Sequence, residues 1–135
     1  MTQPADITLS VDADGTGVGE AADEIYSNFD RFSNRSLYHA PGHTTVLRDT
    51  LTFYRTLPKP TSIFYGVQKS AAKFSLDVEV ETPTGVTTRS PIIYELSASI
   101  PVGASAADIL HVEERVKALI YNRDLMVRLF TNGEV

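Results

Sequence analysis

Two stretches of strict alternation dominate the second half of the chain. In Lys73-Phe-Ser-Leu-Asp-Val-Glu-Val80, Phe74, Leu76, Val78 and Val80 fall on one side and Lys73, Ser75, Asp77 and Glu79 on the other. This period of two predicts a strand with one buried and one wet face, as antiparallel sheets allow. The turn-rich segment Thr82-Pro-Thr-Gly85 leads to a second such run. There Ile92, Tyr94, Leu96, Ala98 and Ile100 oppose Ile93, Glu95, Ser97 and Ser99, and Pro101 and Gly103 stop the strand. The period then changes. Ser105 with Asp108 three residues on gives an approximate capping box. Ile109, Val112, Val116, Leu119 and Ile120 recur at helical spacing, with Glu113 and Lys117 as an i,i+4 pair on the wet side. An apolar-faced hairpin followed by an amphipathic helix predicts a helix covering a sheet, either its own or a partner's.

Earlier in the chain, Ile7, Leu9 and Val11 alternate with polar residues, and Asp14-Gly15-Thr16-Gly17 is a turn signal. Together they predict an N-terminal hairpin. Residues 20–45 show no sustained period and read as irregular structure with at most one strand. A strand returns from Thr45 and runs to Thr56, with Leu51 and Phe53 opposing Thr50, Thr52, Tyr54 and Thr56. Leu57-Pro-Lys-Pro-Thr61 ends it. After the first helix, Asn122-Arg-Asp124 forms a corner. Leu125, Met126, Leu129 and Phe130 then predict a short second helix capped by Asn132-Gly133. Strands first and helices last is an α+β arrangement: an N-terminal β-hairpin, an antiparallel meander sheet and two C-terminal helices in a single domain spanning residues 1–135.

Composition narrows the function. With no cysteine, disulfides and thiolate metal sites are excluded. With no apolar run of membrane-spanning length and no basic-then-apolar leader, neither a membrane partner nor a secretory signal is expected. The net charge of −5 is unevenly spread. Residues 1–30 carry seven acids and no bases, residues 31–73 carry seven bases and one acid, and residues 74–135 carry nine acids and five bases. The middle third is therefore where a phosphate backbone is welcome, although a solvated basic surface explains the same charge.

Candidate chemistry is sparse. His39 and His43 beside Asp49 have metal-ligand composition, but Pro41-Gly42 between them forbids the helix that would aim both imidazoles at one ion. His111 and Glu114 lack a third ligand. The glycines at 15, 17 and 19 precede no Lys-Ser/Thr, so no phosphate loop is read. Asp77, Glu79 and Glu95 offer carboxylates for acid–base work, yet on an exposed sheet face they serve solvation as well. No enzyme motif, metal site or cofactor is expected. Aromatic, hydroxyl and basic residues do interleave on the polar side of the sheet: Thr52, Tyr54, Arg55, Lys73 and Ser75. Single-stranded RNA is held by such stacking, hydroxyl and phosphate contacts.

Three stretches carry a family resemblance: Thr50-Leu-Thr-Phe-Tyr-Arg-Thr-Leu-Pro-Lys-Pro-Thr61, Lys73 to Val80, and Ile93-Tyr-Glu-Leu-Ser-Ala-Ser-Ile-Pro101 with its helix. With the order of elements, they resemble the coat proteins of single-stranded RNA bacteriophages (levivirus-like). The resemblance implies a homodimer in which each subunit's helices cross onto the other's sheet, and a quasi-equivalent icosahedral shell built from such dimers. The inward sheet face would contact the RNA genome and, in a translational repressor, a hairpin within it. The implied location is the virion, assembled in the bacterial cytoplasm.

Residue by residue, Lys73 and Ser75 match basic and hydroxyl RNA contacts, and Ser97 completes the face. Asp77, Ile93 and Glu95 depart from the lysine, aromatic residue and asparagine found there in familiar members, so general genome contact is implied rather than one particular hairpin. Ile109, Val112, Val116, Leu119, Ile120, Leu125 and Leu129 would line the dimer interface. Thr84, Gly85 and Val86 lie in the connection resembling the loop that clusters at symmetry axes. Two rivals stay open: a small dimeric α+β ligand-binding protein or enzyme using Asp77, Glu79 and Glu95, and an RNA-binding repressor that never assembles.

Overall fold

In a computed structural model of the chain, residues 6–11 and 21–134 are described. They form one meander of six antiparallel strands whose order in the sheet is their order in sequence. The strands are β1 (Ile7–Val11), β2 (Ala22–Arg31), β3 (Arg35–His39), β4 (Asp49–Thr56), β5 (Val67–Glu81) and β6 (Thr87–Pro101). Helix α1 (Ala106–Tyr121) and helix α2 (Arg123–Met126) follow, and α2 runs on into a π-helical turn over Val127–Thr131. The expected N-terminal hairpin is present as the β1–β2 pair, with Ile7 opposite Tyr26. Its turn, Asp14 to Gly17, lies outside the described residues.

Residues 20–45 are more regular than their sequence suggests, because they hold both β2 and β3. A β-bulge explains the missing period. Asn28 pairs with Tyr38 and Asp30 with Leu37, leaving Phe29 as an extra residue that resets the alternation in mid-strand. Conversely, the strand expected from Thr45 starts only at Asp49. The Thr44 hydroxyl accepts the Leu47 amide at 2.9 Å, a local turn that competes with strand pairing.

Register sorts the sheet into two faces. Leu51, Phe74 and Tyr94 form one cross-strand row and Phe53, Ala72 and Leu96 the next, continuing the apolar face of Leu76 and Ile92. On the opposite face the rows are Thr50–Ser75–Ile93, Thr52–Lys73–Glu95 and Tyr54–Ala71–Ser97. The buried core is small and sits at one end of the apolar face, comprising Tyr26, Tyr38, Ala40 and Leu51 with Ile7, Leu9 and Ala72 against it. Phe74, Leu76, Ile92, Tyr94 and Leu96 remain exposed.

The helices do not cover that surface. Helix α1 has no buried residue, and its main contact is with α2 rather than with a strand. Its N-terminus is built as expected: Ser105 Oγ accepts the Asp108 amide at 3.2 Å and donates to the Asp108 carboxylate at 2.7 Å. Lys117 bonds Glu114 at 3.0 Å, one residue along from the expected Glu113 partner. Asn122 closes α1 and caps α2 in turn, its side chain accepting the Leu125 amide at 3.2 Å.

Candidate functional site

The polar sheet face collects most of the residues singled out as RNA contacts. Thr52, Lys73 and Glu95 form one cross-strand row, Tyr54 and Ser97 lie in the next, and Ser75 lies in the row on the other side. Neighbouring strands are about 4.8 Å apart, so these groups tile a surface the width of a few nucleotides. Lys69 and Ser99 pair opposite each other and extend it, and Arg35 joins it opposite Tyr54. Thr52 is the most enclosed of the set, at 9% exposure, wedged between Leu37 and Lys73 in its row.

Arg55 is a correction to this set. It directly follows Tyr54, so the pleat turns it to the apolar face, in the row of Ser70 and Ala98. Its guanidinium donates to the Ser33 carbonyl at 2.9 Å and ties the β2–β3 turn to β4. Around it an open trough of about 450 Å³ runs over the apolar face, floored by Ser70, Ala72 and Ala98 and walled by Phe32, Phe53 and Leu96.

The carboxylates do not converge. Glu95 lies opposite Lys73, Asp77 opposite Pro91 and Glu79 opposite Arg89, which spreads them over some 20 Å of ladder. Asp77 is committed locally, its carboxylate accepting the Arg48 amide at 3.2 Å. His39, His43 and Asp49 are brought together in a non-ligating way. The two imidazoles stack with centroids 3.7 Å apart, and His43 Nδ1 accepts the Asp49 amide at 3.0 Å. Burial and the adjacent His43 hold the His39 imidazole below its ordinary pKa. Burial, then the charge of Glu24, pushes the Asp49 carboxyl up, while His43 draws it down. Phe29 stacks on His39 at 4.3 Å, extending the rings to three. In the sequence Phe29 reads only as one apolar anchor among Ile25, Tyr26 and Phe32, and nothing local marks the bulge that sets it on His39.

The helix residues expected at a dimer seam are open in the single chain. Val112, Leu119, Ile120 and Leu129 are exposed, and Ile109, Val116 and Leu125 are half-buried. The connection holding Thr84, Gly85 and Val86 is tight. Thr82 exchanges backbone hydrogen bonds with Val86 and Gly85, and Gly85 takes a φ of 82°, which glycine alone adopts readily. Among the described residues, no helix is long and apolar enough to cross a membrane.

Comparison with solved structures identifies the fold. The virus-like particle of Wenzhou levi-like virus 4 matches at a TM-score of 0.72 and 21% identity, covering 98% of this chain and 88% of that one. That of Beihai levi-like virus 32 matches at 0.69 and 24%, covering 82% and 88%. The bacteriophage EMS014 coat protein matches at 0.59 and 15%, covering 87% and 74%. At these identities the shared feature is the fold: an antiparallel sheet followed by C-terminal helices, as in levi-like coat proteins. No protein-family model matches the sequence, and no curated protein matches it.

Proposed function

We propose that this chain is the coat protein of an RNA bacteriophage. It acts as a single structural, non-enzymatic domain that pairs into an intertwined homodimer and assembles as dimers into an icosahedral shell. The observation that carries the reading is the separation of α1 from its own sheet, which leaves an apolar helix stripe and an apolar sheet face both uncovered. The chain exposes 10731 Å² of surface. A compact monomer of this mass, 14.8 kDa, would expose about 7,000 Å². The excess in each of two chains is more than enough to supply the roughly 2,000–5,000 Å² that an obligate homodimer buries over both partners. Completing the burial of roughly a dozen half-exposed Leu, Ile, Val and Phe side chains, at about 1 kcal/mol each, contributes on the order of 10 kcal/mol. That is comparable with the whole stability of an ordinary domain.

A second feature supports the pairing. Strand β6 is a sheet edge of 15 residues, a long row of unpaired backbone groups that isolated proteins rarely leave open. Two copies related by a two-fold axis join these edges and lay each α1 over the other's Phe74, Tyr94 and Leu96. The polar face, with Lys69, Lys73, Thr50, Thr52, Ser75, Tyr54 and Ser97, then faces the shell interior and holds the single-stranded genome by phosphate and hydroxyl contacts. The same face would hold a hairpin in a repressor complex. Assembly takes place in the bacterial cytoplasm and the product is the virion.

Expression in a bacterium followed by negative-stain microscopy tests the reading. Megadalton spherical particles containing nuclease-protected RNA are expected. A soluble protein of one-chain mass that forms no particles would overturn it.

A further inference from the structure

Beside the rows of the polar face lies a feature that the phosphate and hydroxyl contacts do not use. At the β2 bulge, the Phe29 ring lies on His39 at a centroid distance of 4.3 Å and an interplanar angle of 19°, and His39 lies on His43 at 3.7 Å and 16°. His39 is the middle ring. It belongs to the row of Thr50, Ser75 and Ile93, so the stack stands on the polar face. A stack that served only to brace the β3–β4 connection would bury its last ring, yet Phe29 is 64% exposed. The chain therefore presents a flat aromatic surface to solvent, backed by two further rings and fixed by the His43–Asp49 hydrogen bond.

We propose that the Phe29–His39–His43 stack is a base-stacking platform for an unpaired nucleotide of single-stranded RNA. The proposal rests on the RNA-contacting reading above and adds to it a base contact at the β2 edge of the surface. The geometry suits the ligand. Ser75 is two strands from His39, about 10 Å, so a strand of RNA with its phosphates near Lys73 and its sugars near Thr50 and Ser75 reaches Phe29 within two nucleotides. Asp30, the neighbouring acid, has Oδ1 engaged by the Arg31 amide at 2.7 Å, and its charge disfavours a phosphate at the platform itself. A base, which presents an uncharged π face, is the part of RNA that fits there. Stacking of this kind tolerates any base, so the platform supplies grip without sequence choice.

The sequence contains no tryptophan, so Phe29→Trp places the chain's single indole on the platform, to be excited apart from the tyrosines. The full chain carrying that change would be titrated with an oligouridylate, following indole emission and RNA anisotropy together, with inorganic polyphosphate as a probe that has charges and no bases. The expected result is quenching that saturates with RNA binding and is absent with polyphosphate. In parallel, Phe29→Ala should weaken oligouridylate binding by about tenfold with its salt dependence unchanged. RNA bound by anisotropy with indole emission unaltered, or Phe29→Ala binding as tightly as the parent, would overturn the platform and leave the coat-protein reading standing. Failure of the parent chain to bind RNA at all would overturn the RNA-contacting reading and the platform with it.

Discussion

The ring of Phe130 meets the ring of Tyr94 edge-on, with centroids 5.5 Å apart, and so rests the end of the helical tail on β6 of its own chain. The contact anchors the tail near the sheet edge, while α1 makes no extensive contact with a strand. A helix anchored beside an open edge is placed to reach across it.

From this placement the first prediction concerns α1. Val116 is half-buried and Leu119 is 42% exposed in the single chain, and in the proposed dimer both would enter a desolvated seam. Val116→Asp or Leu119→Asp puts an unpaired charge there, at a cost of several kcal/mol. Size-exclusion chromatography should show loss of dimers, and microscopy loss of particles. Normal particles from either variant would contradict the seam.

Removing the central cation should separate packaging from assembly. Lys73 lies mid-face between Thr52 and Glu95, away from the apolar surface. Lys73→Ala should leave particle yield near normal while lowering nuclease-protected RNA per particle and flattening the salt dependence of RNA binding. Unchanged RNA content would count against the polar face as the genome surface.

Stability should depend sharply on Gly66. Its φ is 94°, and a Cβ there would lie 2.9 Å from the Lys59 backbone nitrogen. Backbone strain and the close approach act together, so Gly66→Ala should cost about 2 kcal/mol or more in denaturant unfolding. A change within experimental error would mean that the β4–β5 connection is not held as described.

Acid should loosen the β3–β4 region. The folded chain holds His39 below its ordinary pKa, so the unfolded state binds more protons and stability is lost as pH falls below about 6.5. The raised Asp49 acts with the opposite sign. Its carboxyl takes up a proton more readily in the folded state, so its contribution grows as pH drops towards the carboxylate range. Between these windows the His39 effect dominates. His39→Phe, which keeps an aromatic ring in the stack, should flatten the decline in melting temperature between about pH 7 and pH 5.5. An equally steep decline in the variant would assign the acid sensitivity elsewhere.

How much of this was legible in the sequence depends on how directly local pattern reports burial. The β5–β6 hairpin and the Ser105 cap could be read because alternation and capping are local rules, and both are present as expected. The β2–β3 pair was hidden. One extra residue at Phe29 breaks the period, and the core face of β2 mixes Glu24 and Asn28 with Tyr26. The same bulge concealed the aromatic stack, which joins residues from β2, the end of β3 and the loop beyond it. Composition alone groups Arg55 with Tyr54, although adjacent strand residues point to opposite faces. Whether the helix covers its own sheet or a neighbour's is a question of long-range geometry that hydrophobic period leaves open.

The cysteine-free sequence makes that question directly measurable. One tagged chain would carry Val116→Cys, and differently tagged chains would carry single substitutions Phe74→Cys, Tyr94→Cys or Leu96→Cys. After co-assembly and mild oxidation, the account predicts a disulfide between the two tagged chains for at least one of these pairs. It also predicts none within a diluted single chain carrying both cysteines. Cross-links formed only within one chain would show that α1 covers its own sheet, and would contradict the intertwined dimer proposed above as the building block of a shell.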